Sequence, residues 1–230
     1  MPEKKRIKVK RKKRKLKVKR IIICILILIL LALLVLYIKD LPIKNIYIVG
    51  NNILGDKEVI ESASISNYPP FLTTNSSTIK KKLLKNNYIK EVKVKKKLIG
   101  KVYIYITEKK IIGIYNNKVL LEDSSLVDNI YNISSAPIIT NDISTTLDKF
   151  TSKFSKVDND ILLKISEISY TPNDVDPERF LLKMNDGNQV YITLGKITKI
   201  NKYNDIYSSM DDKKGIIYLD SGDYIEVKES

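Results

Sequence analysis

Few residues in this 230-residue chain have the types and spacing that catalysis requires. Ser77-Thr78-Ile79-Lys80 matches Ser-x-x-Lys, the nucleophile motif of penicillin-binding enzymes. Those enzymes also need a Lys-Thr-Gly strand, and the chain has none. A helix cap followed by a surface lysine accounts for the match. Asp174-Val175-Asp176-Pro177-Glu178 places three carboxylates in five residues, but it lacks the glycine and ligand spacing of an EF-hand and reads as a solvated loop. Glu122-Asp123 is the other dense acidic cluster. The chain has no His, which removes the commonest metal ligand and the usual general base near neutral pH. Its one cysteine, Cys24, lies in an apolar run and cannot form an intramolecular disulfide. There is no phosphate-binding glycine loop. The expectation is a protein that is not an enzyme, with no catalytic residues, no metal site and no cofactor.

The charge pattern says more. The formal net charge is +15, but residues 1–20 hold 13 Lys/Arg against the single acid Glu3. The remaining 210 residues hold 28 Lys/Arg and 25 Asp/Glu. The basicity therefore belongs to a tail and not to the body. Directly after it, Ile21–Ile38 runs for 18 residues without a charge. As a helix it would span roughly 27 Å, close to the hydrocarbon thickness of a bilayer. Apolar residues occupy all its faces, which excludes an amphipathic surface helix. No small-x-small cleavage site follows, so it reads as an uncleaved anchor and not as a signal peptide. The positive-inside rule keeps the tail cytoplasmic and exports the rest. The tail reads as a topology determinant that also touches anionic lipid, and not as a nucleic-acid arm.

The exported body begins with alternation over Ile43–Val49, stopped by Gly50-Asn51-Asn52. Asp56 and Glu58 favour a helix start, with Val59, Ile60 and Ala63 as its apolar face. Tyr68-Pro69-Pro70 is a loop. A second helix opens near Asn75-Ser76-Ser77, with Ile79, Leu83 and Leu84 at helical spacing. Ile89–Lys97 and Lys101–Lys109 alternate around a turn at Leu98-Ile99-Gly100. Two helices on one face of a small sheet would bury these apolar positions.

From Ile111 a second unit is expected. Ile111–Tyr115 and Lys118–Leu121 flank Asn116-Asn117 as a hairpin. Ala136–Ile139 is extended, Ile143–Phe154 has helical spacing, and Ile161–Tyr170 is mixed. Arg179–Met184 and Gln189–Leu194 form a hairpin about Asn185-Asp186-Gly187-Asn188. Ile197–Tyr207 reads as a helix, and Gly215–Asp220 and Tyr224–Val227 as short terminal strands.

In this order the pattern resembles the FtsQ/DivIB family of bacterial cell-division proteins. Ile46-Tyr47-Ile48-Val49-Gly50-Asn51 is similar to the first strand and Gly-Asn turn of the family's POTRA domain. Tyr88–Val94 through Ile104–Lys109 is similar to its paired strands, and Gly215–Asp220 with Gly222-Asp223 to its terminal strand. The chain departs from the family at Tyr218 and Asp220, where Asp and Arg are common, and it lacks prolines near Ile99-Gly100 and at Ile111.

The resemblance implies an α+β protein in four parts: a basic cytoplasmic tail (1–20), a transmembrane helix (21–38), a β-α-α-β-β POTRA domain (43–110) and a mixed C-terminal β domain with antiparallel sheet (111–230). It implies a non-catalytic division scaffold at the septal membrane. The partners would be FtsL-like and FtsB/DivIC-like single-pass proteins, with septal peptidoglycan synthase reached indirectly. A POTRA-containing envelope adaptor or transport component outside division is the alternative. An open terminal strand offers unpaired amides and carbonyls to a partner strand. That edge is expected at Ile216, Ile217, Tyr218, Leu219 and Asp220, with Tyr218 and Tyr224 as aromatic contacts.

Overall fold

A computed structural model describes residues 17–97, 100–210 and 213–227. Most of the basic tail, and Leu98 and Ile99 of the expected turn, lie outside the described residues. Helix α1 (Val18–Lys39) contains the predicted anchor and buries none of its residues. It is the one helix among the described residues that is long and apolar enough to cross a membrane.

The next unit contains β1 (Asn45–Val49), α2 (Asp56–Ser62), α3 (Ser76–Leu83), β2 (Ile89–Lys97) and β3 (Lys101–Glu108). Its strand order is β1-β3-β2, with β1 parallel and β2 antiparallel to β3. Val92, Val102, Ile104 and Ile106 point to one face and are buried with Val59, Ala63, Ile79 and Leu83 of the helical layer. Period-2 alternation requires the other face to be wet. There Tyr47 stacks on Tyr103 at 4.7 Å, with the Lys97 ammonium 4.7 Å from the Tyr103 ring. Asn75 caps α3, its side chain accepting the Ser77 N–H at 2.8 Å. Leu84, expected inside, is 41% exposed because the helix ends at Leu83.

Gly50 has φ +89°, and a Cβ there would lie 2.2 Å from the Ile106 carbonyl oxygen. Only glycine fits so close an approach in that conformation. After the turn, the Asn51 amide donates to Leu54 O and to Asp56 Oδ1. The Glu108 carboxylate accepts the N–H groups of Ile53 and Leu54 at 3.0 Å. The end of β3 thus fixes the loop that leads into α2.

The remaining strands form one nine-stranded sheet: β4 (Ile111–Tyr115), β5 (Lys118–Leu121), β6 (Leu126–Asp128), β7 (Ile138–Thr140), β8 (Ile165–Tyr170), β9 (Arg179–Met184), β10 (Gln189–Thr193), β11 (Gly215–Tyr218) and β12 (Tyr224–Val227). Their spatial order is β12-β11-β10-β9-β8-β7-β4-β5-β6. The sheet is mixed: β4–β7, β7–β8 and β10–β11 are parallel, and the other pairs are antiparallel. Asn116 and Asn117 both take positive φ (50° and 62°), as a two-residue type I′ hairpin demands.

The helix expected at 143–154 is a 3-10 turn (Ser144–Thr146) followed by α4 (Leu147–Phe154). The mixed segment resolves into α5 (Asn159–Leu162) and β8. The helix expected at 197–207 is a 3-10 helix over Leu194–Lys202 leading into α6 (Tyr203–Ser208). Ile143, Phe150, Phe154, Ile197, Ile200 and Tyr203 are buried in this core together with Phe180 and Leu182.

The second sheet contributes to the core of the first. Val119, Leu121 and Val127 of the β5–β6 arm are buried with the first sheet, whereas Leu120 between them faces the second. Tyr131 meets Tyr88 edge-on at 4.9 Å and donates its hydroxyl to Glu58. The Tyr88 hydroxyl donates to Asp128 O at 2.9 Å.

Candidate functional site

The residues first weighed for chemistry are occupied otherwise. Ser77 and Lys80 are both exposed in the first turns of α3. Asp176 accepts the Glu178 N–H at 2.9 Å and the Thr193 hydroxyl at 3.2 Å, and Glu178 pairs with Lys149. Glu122 pairs with Lys90 at 2.9 Å, and Asp123 with Lys109 at 2.5 Å. These carboxylates hold loops and neighbouring strands together.

The terminal edge is arranged differently from the expectation. Ile216–Tyr218 is not a free edge: it pairs in parallel with Gln189–Tyr191 and antiparallel with Tyr224–Glu226. Ser221-Gly222-Asp223 turns the chain back, Asp223 taking φ 54°, so that the second expected terminal strand pairs outside the first. Among the described residues the free edge at this end of the sheet is therefore β12. Ile217 and Leu219 are core residues, 1% and 5% exposed. The Asp220 carboxylate accepts the Arg179 Nε–H at 2.7 Å, with its side chain only 8% exposed. Burial pushes the Asp220 pKa up, but the hydrogen bonds from Arg179 and Ser221 outweigh it and hold the carboxyl below the usual carboxylate range.

Tyr218 and Tyr224 belong to an aromatic ladder on the outer face. Tyr191, Tyr218 and Tyr224 stand side by side on β10, β11 and β12, at 5.4 and 4.5 Å between ring centroids. The Arg179 guanidinium lies 3.7 Å from the Tyr191 ring centroid and ends the row. Sequence reading missed Tyr191 and Arg179. Their signal was present, because residues on neighbouring strands in register share a face.

On the opposite side of β12 a groove of about 440 Å³ runs between the strand and the helical layer, lined by Ile206, Ile217, Leu219, Ile225, Lys199 and Lys202 among others. Lys199 closes one part of it by pairing with Asp223. Tyr224, Ile225 and Val227 are 37–50% exposed. The other sheet edges differ. β2 carries Lys90, Lys93, Lys95, Lys96 and Lys97, and such charge blunts an edge against pairing. β6 has only three residues, and β1 lies beside the exit of α1. At β12 an edge strand with unpaired backbone groups therefore lies beside a groove with side-chain room.

One apolar helix among the described residues, followed by a small POTRA-like sheet and a larger mixed sheet, defines an α+β protein with an N-terminal apolar helix. The model of the FtsQ-type POTRA domain matches residues 41–109. The chain is 30% identical over 196 residues to the cell division protein DivIB of Bacillus subtilis, covering 80% of this chain and 73% of that protein. It is 29% identical over 191 residues to DivIB of Bacillus anthracis, covering 79% and 72%. Among solved structures, the major extracytoplasmic domain of the trans isomer of DivIB from Geobacillus stearothermophilus is 23% identical, with a TM-score of 0.38, covering 46% of this chain and 96% of that one. The chain belongs to the DivIB family of cell division proteins.

Proposed function

We propose that this protein is a non-catalytic scaffold of the division septum, with its N-terminal tail in the cytoplasm and the body outside. Residues 1–20 form the tail and 21–38 the membrane helix. Residues 43–110 form the POTRA domain and 111–230 the partner-binding β domain. The partners are FtsL-like and FtsB/DivIC-like single-pass division proteins, through which the scaffold supports septal peptidoglycan synthesis. The observation that carries the binding mode is the free β12 edge, with exposed Tyr224, Ile225 and Val227 beside an apolar groove. A partner strand would pair with β12 and place alternate side chains in that groove. Ile216–Asp220 support this edge from inside, and Tyr218 flanks Tyr224 on the ladder.

Two experiments test the reading. Depletion should give filamentous or septum-defective cells, and normal division would contradict the role. Full-length protein lacking residues 224–230 should no longer capture its FtsL-like and DivIC-like partners from membranes. Undiminished capture by that protein would contradict the edge assignment.

A further inference from the structure

The segment between α1 and β1 has almost no slack. Lys39 ends the helix, and two residues later the Leu41 carbonyl already accepts the Phe71 N–H at 2.7 Å. Ile43 donates its N–H to Pro69 O at 3.0 Å, and Pro42 and Pro70 form an isolated β-bridge. Lys44 donates to Gly100 O at 2.8 Å. An extended chain covers at most about 3.6 Å per residue. Leu41 therefore lies within roughly 7 Å of the last helical residue, and Lys44 within roughly 18 Å. The loop between α2 and α3, and Gly100 before β3, are held near the C-terminal end of α1.

That loop is also held on its other side. The Lys96 ammonium donates to the carbonyls of Phe71 and Thr74 and lies 4.4 Å from the Phe71 ring centroid. Burial lowers its pKa below the usual lysine range. The Thr74 hydroxyl donates back to Pro70 O at 2.8 Å. A loop held in this way nevertheless leaves Tyr68 50% and Leu72 54% exposed, near Leu41, which is 36% exposed. Lys39 and Lys44 are exposed beside the end of α1, with Asp40 the single acid between them; Lys97 (exposed) and Lys101 (partly so) face each other across the β2–β3 pair, whose Gly100 carbonyl holds Lys44.

We propose that Tyr68 and Leu72 enter the interfacial layer of the outer leaflet, while Lys44, Lys97 and Lys101 lie among the phosphates of anionic lipids. The proposal rests on the anchor and topology reading given above. Tyrosine suits the membrane–water interface, and short apolar side chains rimmed by lysine bind an anionic surface. A second contact beside the helix would fix the tilt of the first sheet unit. That would in turn hold β12 at a constant height above the membrane.

The test uses the full-length Cys24→Ala protein reconstituted into phosphatidylcholine vesicles containing phosphatidylglycerol. An environment-sensitive fluorophore is attached at Thr73→Cys, at Leu34→Cys within α1, or at Val175→Cys, which is 94% exposed in the distant sheet unit. Brominated lipid should quench the Leu34 and Thr73 labels and spare the Val175 label. Adding Tyr68→Ser and Leu72→Ser should reduce quenching at Thr73 about twofold and leave it unchanged at Leu34. Replacing Lys44, Lys97 and Lys101 with Gln should reduce it only when phosphatidylglycerol is present. A quenched Leu34 label with an unquenched Thr73 label would overturn the proposal and leave the anchor standing. Unquenched labels at both positions would overturn both. Quenching at Thr73 that ignores the Tyr68 and Leu72 substitutions would also overturn the proposal.

Discussion

Arg179 is held between the ring of Tyr191, 3.7 Å away, and the carboxylate of Asp220, at 2.7 Å. The pair ties β9 to the residues that follow β11, across the intervening β10. Both side chains are largely buried, so removing one leaves the other charge without its partner. Arg179→Ala should therefore destabilise the protein by about 3 kcal/mol in urea unfolding. The folded-state pKa of Asp220 is depressed, so its contribution is present above the ordinary aspartate pKa and is lost as pH falls through the lowered value. Asp220→Asn should flatten that acid limb, and an unchanged acid limb would contradict the role assigned to the pair.

Gly50 combines positive φ with a carbonyl 2.2 Å from where a Cβ would stand. Gly50→Ala should cost more than about 2 kcal/mol, because the strain and the clash add. Gly55→Ala meets nothing within 4 Å and serves as the control. Thermal unfolding of both variants checks the difference; equal shifts would contradict it.

Tyr203 donates its hydroxyl to Asp186 at 2.7 Å and accepts from the Asn188 amide at 3.0 Å. Buried Asn188 in turn accepts the Gly215 N–H at 2.8 Å. The β9–β10 turn thereby holds the start of β11. Tyr203→Phe should cost about 1–2 kcal/mol, and Asn188→Ala more, because the buried Gly215 amide then lacks an acceptor. Urea unfolding measures both, and a Tyr203→Phe midpoint equal to wild type would contradict the network.

The Tyr131–Glu58 bond joins the two sheet units. Burial and the Glu58 carboxylate raise the Tyr131 pKa to about 12, against partial opposition from Asn86. A raised pKa makes this contribution complete below about pH 10 and lost as pH rises through about 12. Tyr131→Phe should be less stable than wild type at pH 7 by about 1 kcal/mol and should lose less stability between pH 10 and 12. Parallel alkaline limbs for the two proteins would contradict the assignment.

Where a residue's neighbours lie close in sequence, the structure was legible. The span of α1, the alternation of Ile89–Lys97 with Val102–Ile106, and the Asn116-Asn117 turn each follow from local patterning. Pairings at long separation were not. The parallel β10–β11 pair depends on how the 194–208 helical segment crosses the sheet, and no local signal encodes that crossing. The transfer of Val119 and Leu121 to the neighbouring core was hidden for the same reason, since alternation shows two faces but not what covers each. The open end of the sheet lies one strand beyond Ile216–Tyr218 among the described residues. Gly222-Asp223 signalled a turn, but its sequence could not show that Tyr224–Val227 folds back outside Ile216–Tyr218.

The central claim is that β12 receives a partner strand. Hydrogen exchange on the full-length protein, alone and with the proposed FtsL-like and DivIC-like partners, tests it most directly. Outward amides of Tyr224–Val227 should exchange rapidly in the free protein and become protected in the complex, with β2 unchanged. Unaltered exchange at Tyr224–Val227 in a complex that has formed would contradict the account.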